Sequence, residues 1–215
     1  MKTALKLGLL AISIAAWFLL IQPAQALSPK NCHLSNNHPT TVMPNFQPTV
    51  ELPSERVNHH HFWLANCLML SGQAGVDACH CAIATNPTNP LTWNNLGQKL
   101  FGLGRYSEAL ISYNHALLII PNYSLALANR CGVLDKLKRY SEALTSCELA
   151  LGGDKQWGSG GEALAWNNQG DILFNLGLYE EALASFERAL AINPNHEGAN
   201  WNRMVMLHKL GRPIQ

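Results

Sequence analysis

The chain has 215 residues, with 15 basic and 14 acidic side chains and a formal charge of +1 when the histidines are neutral. Nucleic-acid binders need clustered excess positive charge to displace the counterions around phosphate, and a balanced chain with only 13% charged residues excludes that class. The length suffices for one domain with a continuous core.

Residues 1–26 have the layout of a secretory signal peptide. Lys2 and Lys6 give a positive start, Leu7 to Ile21 form an uncharged apolar run, and Ala24-Gln25-Ala26 supplies the small residues of a cleavage site. The apolar run is shorter than the roughly 20 residues that span a bilayer. Cleavage after Ala26 and export to a periplasm or equivalent lumen are therefore expected; the alternative is a membrane anchor retained at residues 7–21. Removing 1–26 takes away two lysines and no acid, leaving the remainder near neutrality.

Residues 27–57 are rich in Pro, Asn, Ser and Thr without periodicity and read as an extended arm or linker. Residues 58–88 follow with apolar positions at helical spacing, Phe62 to Met69 and Val76 to Ala84, closing on Asn86-Pro87. The spacing predicts a degenerate helical hairpin.

Three longer segments then share one pattern. Residues 90–123 read Trp93-Asn94-Asn95-Leu96-Gly97, Leu100, Gly104-Arg105-Tyr106-Ser107-Glu108-Ala109-Leu110, Tyr113, Ala116 and Pro121. Residues 163–196 read Trp166-Asn167-Asn168-Gln169-Gly170, Leu173, Gly177-Leu178-Tyr179-Glu180-Glu181-Ala182-Leu183, Phe186, Ala189 and Pro194. Residues 124–157 are a weaker copy, with Leu127, Asn129, Cys131, Leu134, Tyr140-Ser141-Glu142-Ala143-Leu144, Cys147 and Ala150, but Arg130 in place of Leu and no closing Pro. Apolar residues fall three and four apart on both sides of each turn, so each unit is two amphipathic helices. A Gly-rich insertion, 158–162, separates the second and third copies, and 197–211 repeats only the first helix, as a terminal cap would.

The pattern resembles the tetratricopeptide repeat (TPR), a helix–turn–helix of about 34 residues with Trp, Leu-Gly, Tyr, Ala, Phe and Pro at set offsets. Leu100 and Leu173 stand where an aromatic is common. The resemblance implies an all-α TPR superhelix, a non-catalytic scaffold or adaptor that holds an extended segment of a partner protein in its inner groove, and it implies no cofactor.

Asparagine recurs at one place in each first helix: Asn95, Asn129, Asn168 and Asn202, with Asn94 and Asn167 preceding two of them. Periodicity puts these off the buried stripe, and the resemblance puts them on the inward face. A carboxamide carries an acceptor and two donors, so such a row can pair with the backbone of an extended peptide. It looks like the asparagine ladder of peptide-binding TPR proteins; the alternative is simple solvation of the helix. Gln98, Phe101, Asp171 and Phe174 share that face with Leu91, Asp135, Lys136, Leu164, Trp201 and His208. Basic residues are scarce there, so the cationic clamp of some TPR domains is not expected, and the groove is expected to suit a neutral, apolar segment.

Other chemistry is weakly signalled. Gly158-Ser159-Gly160 superficially matches a dinucleotide loop, but a helix precedes it where a strand is required. The Walker-like spacing from Gly153 to Ser159 has no Lys before the Ser. No Ser-His-Asp order or carboxylate pair stands out, so no enzymatic activity is expected. Six cysteines, an even count, suggest disulfides in an exported chain. Cys131 and Cys147 sit on the two helices of one repeat and are candidates for a bridge; Cys32, Cys67, Cys79 and Cys81 are candidates for two more. Buried free thiols are the alternative. His59-His60-His61 with Cys79-His80-Cys81 and Cys32-His33 offers zinc or copper ligands without the usual zinc spacings. Two other functions therefore stand beside the adaptor: a structural scaffold whose groove is filled by its own arm, and a Cys/His metal-handling protein.

Overall fold

The computed structural model describes Cys32, residues 55–158 and residues 161–213. The expected signal segment and most of the expected arm lie outside this set. The chain divides into two units, Met1–Thr49 and Val50–Gln215; only Cys32 is described in the first, and the second is an all-α array of helical hairpins. Among the described residues there are nine helices and no strand: α1 (Glu55–Met69), α2 (Gly72–Thr85), α3 (Pro90–Gly102), α4 (Tyr106–Ile119), α5 (Ser124–Lys136), α6 (Tyr140–Gly152), α7 (Gly161–Asn175), α8 (Tyr179–Ile192) and α9 (Glu197–Lys209).

Helices pair as hairpins α1–α2, α3–α4, α5–α6 and α7–α8, and α9 covers the last hairpin. Within each repeat, one pair of positions 16 residues apart sets how closely the two helices approach. A Cβ on Gly97 would lie 2.5 Å from the Tyr113 ring, and a Cβ on Gly170 would collide with the ring of Phe186. The glycines thus make room for an aromatic ring that is itself fully buried. The middle repeat solves the same problem differently: Cys131 replaces the glycine and Cys147 the aromatic, and the Cα atoms come within 5.3 Å with the sulfurs at bonding distance. Ala109, Ala143 and Ala182, all at 0% exposure, keep the partner helix equally close. Core side chains run without interruption from Cys67 and Val76 through Leu96, Tyr113, Cys131 and Leu134 to Ile172.

The turns inside the repeats are also equivalent. After α3 and α7 the chain takes a left-handed residue, Gly104 (φ 73°) and Gly177 (φ 80°). The amides of Gly104 and Arg105 return to the carbonyls of Phe101 and Leu100, and those of Gly177 and Leu178 to Phe174 and Leu173, closing the first helix. After α5 this residue is Lys138 (φ 59°), which makes the same bonds without the glycine's freedom. The Asn89 side chain accepts from the Leu91 amide at 3.0 Å and Pro90 occupies the first turn, so α3 starts where its sequence directs.

The insertion differs from the sequence reading. Helix α6 ends at Gly152 and α7 starts at Gly161, so Gly161 and Glu162, assigned above to the insertion, are helical. Its first residues are tied to the α4–α5 junction. Asp154 accepts from the amides of Ser124 (3.0 Å) and Gln156 (2.9 Å), and the Asp154 amide donates to the Asn122 carbonyl at 2.9 Å. Helix α1 begins at Glu55, so the expected arm also loses its last residues to helix.

Candidate functional site

Helices α3, α5, α7 and α9 are the first helices of successive repeats, and neighbours among them touch. Along each one, residues three, four and three apart form a single stripe. On α3 the stripe is Leu91, Asn94, Gln98 and Phe101; on α7 it is Leu164, Asn167, Asp171 and Phe174; on α9, Trp201, Val205 and His208. Apolar side chains on it remain uncovered: Leu91 is 37% exposed, Phe174 37%, Val205 38% and Trp201 66%. Gln98 is exposed and Phe101 half-buried against Tyr106, with ring centroids 5.3 Å apart.

The carboxamides do not stand clear of the helix contacts, as expected above. Asn94, Asn95, Asn129 and Asn167 are all buried. Asn129 Nδ2 donates to Asn94 Oδ1 at 2.9 Å, joining α5 to α3. Asn168 Nδ2 donates to the Ala128 carbonyl at 3.1 Å, joining α7 to α5. Asn202 Nδ2 reaches Asp171 Oδ1 at 2.8 Å and Asn167 Oδ1 at 3.4 Å, joining α9 to α7. Asn95 Nδ2 donates within its own helix, to the Leu91 carbonyl at 2.7 Å. The row is therefore a set of clasps between successive first helices. Periodicity shows that a position is off the stripe facing its own hairpin partner; it does not show that the next repeat covers it.

The face is not neutral either. Asp135, 8% exposed, accepts from Asn175 Nδ2 at 2.8 Å, and its other oxygen lies 3.3 Å from Lys136 Nζ. Asp171 accepts from Asn167 at 3.2 Å as well as from Asn202. Burial raises the Asp171 carboxyl to about 6, and the nearby Asp135 charge adds to the rise, while Lys136 and the Asn167 bond oppose it. Asn175 is the partner that the sequence reading missed. It lies 40 residues from Asp135, across the insertion, so the regular repeat offset does not point to it. A shallow hollow between α7, α8 and α9 is lined by Asp171, Phe174, Phe186, Asn202, Val205 and Met206.

The other candidates are placed elsewhere. Cys67 and Cys79 join α1 to α2 with Cα atoms 4.5 Å apart, and Cys81 on α2 is likewise disulfide-bonded. His60 Nδ1 lies 3.1 Å from Thr85 Oγ1, and its Nε2 3.4 Å from Asn89 Nδ2. Among the described residues no three His, Cys, Asp or Glu side chains gather as metal ligands would.

Comparison with known proteins matches the tetratricopeptide repeat at residues 90–123 and 163–196. The chain carries two such repeats by sequence. The Hsp70-Hsp90 organizing protein of Triticum aestivum is 29% identical over 102 residues, 47% of this chain and 17% of that protein. The chain thus spans less than a fifth of that relative. Among solved structures, the first TPR of Spaghetti (RPAP3) bound to the HSP90 peptide SRMEEVD is 26% identical, with a TM-score of 0.50, covering 57% of this chain and 93% of that one. The pilF structure of Pseudomonas aeruginosa superposes with a TM-score of 0.59 at 20% identity, over 73% of this chain and 69% of that one, and shares the fold.

Proposed function

We propose that this chain is a non-catalytic scaffold which holds an extended segment of a partner protein along the face formed by α3, α5, α7 and α9. The observation that carries this reading is the stripe itself. Leu91, Phe174, Val205 and Trp201 are apolar and uncovered on that one face, while the carboxamides beside them fix the spacing of the helices that present it. A similar domain that grips a peptide supports the same use of the fold. Gln98 supplies an exposed carboxamide for peptide backbone; of the four recurrent asparagines, Asn129, Asn168 and Asn202 act chiefly by holding the helices in register, while Asn95 bonds within its own helix.

The setting we propose is an exported compartment, entered by cleavage after Ala26. There the cysteine pairs 67–79 and 131–147 oxidise and stay oxidised. N-terminal sequencing of the mature protein is expected to begin at Leu27; Met1 retained on membrane-bound protein would replace secretion with anchoring by residues 7–21.

Site-specific photo-cross-linking tests the binding face. A photoreactive residue at Gln98 should capture a partner polypeptide, whereas one at the exposed Ile111 on α4 should not. Capture at Ile111 alone would move the interface to the second helices.

A further inference from the structure

Resting on the binding face just proposed, we infer that its preferred occupant is an extended segment bearing a lysine or arginine, seated where Phe101, Asp135 and Phe174 fall in register on α3, α5 and α7. Three observations lead there. First, the carboxylates on the stripe are Asp135 and Asp171, with the Asp135 charge near enough to help raise the Asp171 carboxyl, and the donors clasping Asp171 are neutral carboxamides. Among the described residues, the ammonium paired with them is that of Lys136, which is half-exposed and 3.3 Å from Asp135. Only the ammonium end of this pair is exposed and Asp135 is buried, so a partner's cation can take the place of Lys136 by restoring the same contact to the carboxylate.

Second, this face already shows how it holds an ammonium. Lys209 Nζ sits over the ring pair of Phe174 and Tyr179, 5.9 and 4.4 Å from the two centroids. Phe101 and Tyr106 make the same kind of pair on α3 and α4. Lys136 occupies on α5 the turn position that Lys209 occupies on α9, but its ammonium pairs with Asp135 instead. An aromatic wall next to a carboxylate suits an aliphatic stem ending in a cation.

Third, the positions flanking the clasps on the first helices are Leu91 and Asn94, Leu125 and Ala128, Leu164 and Asn167. None is basic, and the ammoniums of this face are already engaged, Lys136 with Asp135 and Lys209 over the Phe174 and Tyr179 rings, so an acidic tail such as the SRMEEVD peptide of the similar domain finds no uncommitted cation at these positions.

The test uses three capped heptapeptides of alternating Ala and Leu whose central residue is Lys, Gln or Glu, titrated into the mature chain by fluorescence anisotropy at low ionic strength. The Lys peptide should bind about three- to tenfold more tightly than the Gln peptide and more tightly still than the Glu peptide. Added salt should narrow the gap. Asp135→Asn should erase the preference. Lys136→Gln, at an exposed site outside the core, should enlarge it and confirms the account if Asp135→Asn unfolds. Equal affinity for all three peptides, or preference for Glu, would overturn the selectivity and leave the binding face standing. Binding of none of them would overturn both.

Discussion

A single glycine decides whether each regular repeat closes. Gly97 and Gly170 lie beneath the rings of Tyr113 and Phe186, and both rings are fully buried. Gly97→Leu would force the ring out of its slot, and overpacking of this kind costs about 1–3 kcal/mol or more. Chemical denaturation should show a loss at least that large. The clasping asparagines behave as structural residues too. Asn129→Ala leaves Asn94 Oδ1 without its 2.9 Å donor inside the α3–α5 contact, a penalty of about 1–3 kcal/mol. The expected result is a lowered unfolding midpoint with or without partner; unchanged stability with weakened binding would return Asn129 to the role that its spacing first suggested.

Asp171 gives the residue scale a pH signature. Its carboxyl rises from 3.8 to about 6 in the folded chain, so the native state binds more protons than the unfolded state between those values. Its contribution is therefore fully present below about 4 and is lost as pH rises through 6. Asp171→Asn removes the charge while leaving an oxygen for Asn202, and should stabilise the protein at neutral pH by an amount on the order of 2 kcal/mol. The measurement is unfolding midpoint against pH; a variant that tracks the parent across pH 4–7 would place the carboxylate in an ordinary solvated setting.

At the scale of the element, the middle repeat departs from its neighbours in two linked ways. It replaces the glycine–aromatic contact with Cys131 and Cys147, and it turns through Lys138 where the other repeats use glycine. Closing a loop of this size stabilises by roughly 3 kcal/mol in the chain-entropy account. Reduction should thus lower the melting temperature of the parent, while a Cys131→Ala, Cys147→Ala variant should respond only through the remaining bridges. Peptide mapping that found both cysteines alkylated as free thiols would contradict the bridge. Lys138→Gly should stabilise the chain by roughly 1 kcal/mol, because a left-handed lysine is strained by about that much. The elements themselves were legible from spacing: apolar residues three and four apart on both sides of each turn, with Gly97 and Gly170 at the same place in two repeats, announce the hairpins. The start of α7 was not, since Gly161 is buried against Trp157 and Leu125, a tertiary contact that overrides glycine's poor helix propensity.

At the scale of the whole array, the contacts between repeats were less legible than the repeats. Asn129 and Asn202 stood out by recurrence, yet their partners, Asn94 and Asp171, belong to the preceding repeat and are set by how hairpins stack. The Asp135–Asn175 bond crosses the insertion and follows no periodic offset. What the sequence did convey is which face is left over once every hairpin has closed, and that face bears the uncovered Leu91, Phe174, Val205 and Trp201. The central claim is that an extended polypeptide lies along it. Hydrogen exchange of the mature chain, read segment by segment with and without partner polypeptide, tests this most directly. Binding should add protection in α3, α5, α7 and α9 and leave α4, α6 and α8 at their unbound rates; protection confined to the second helices would contradict it.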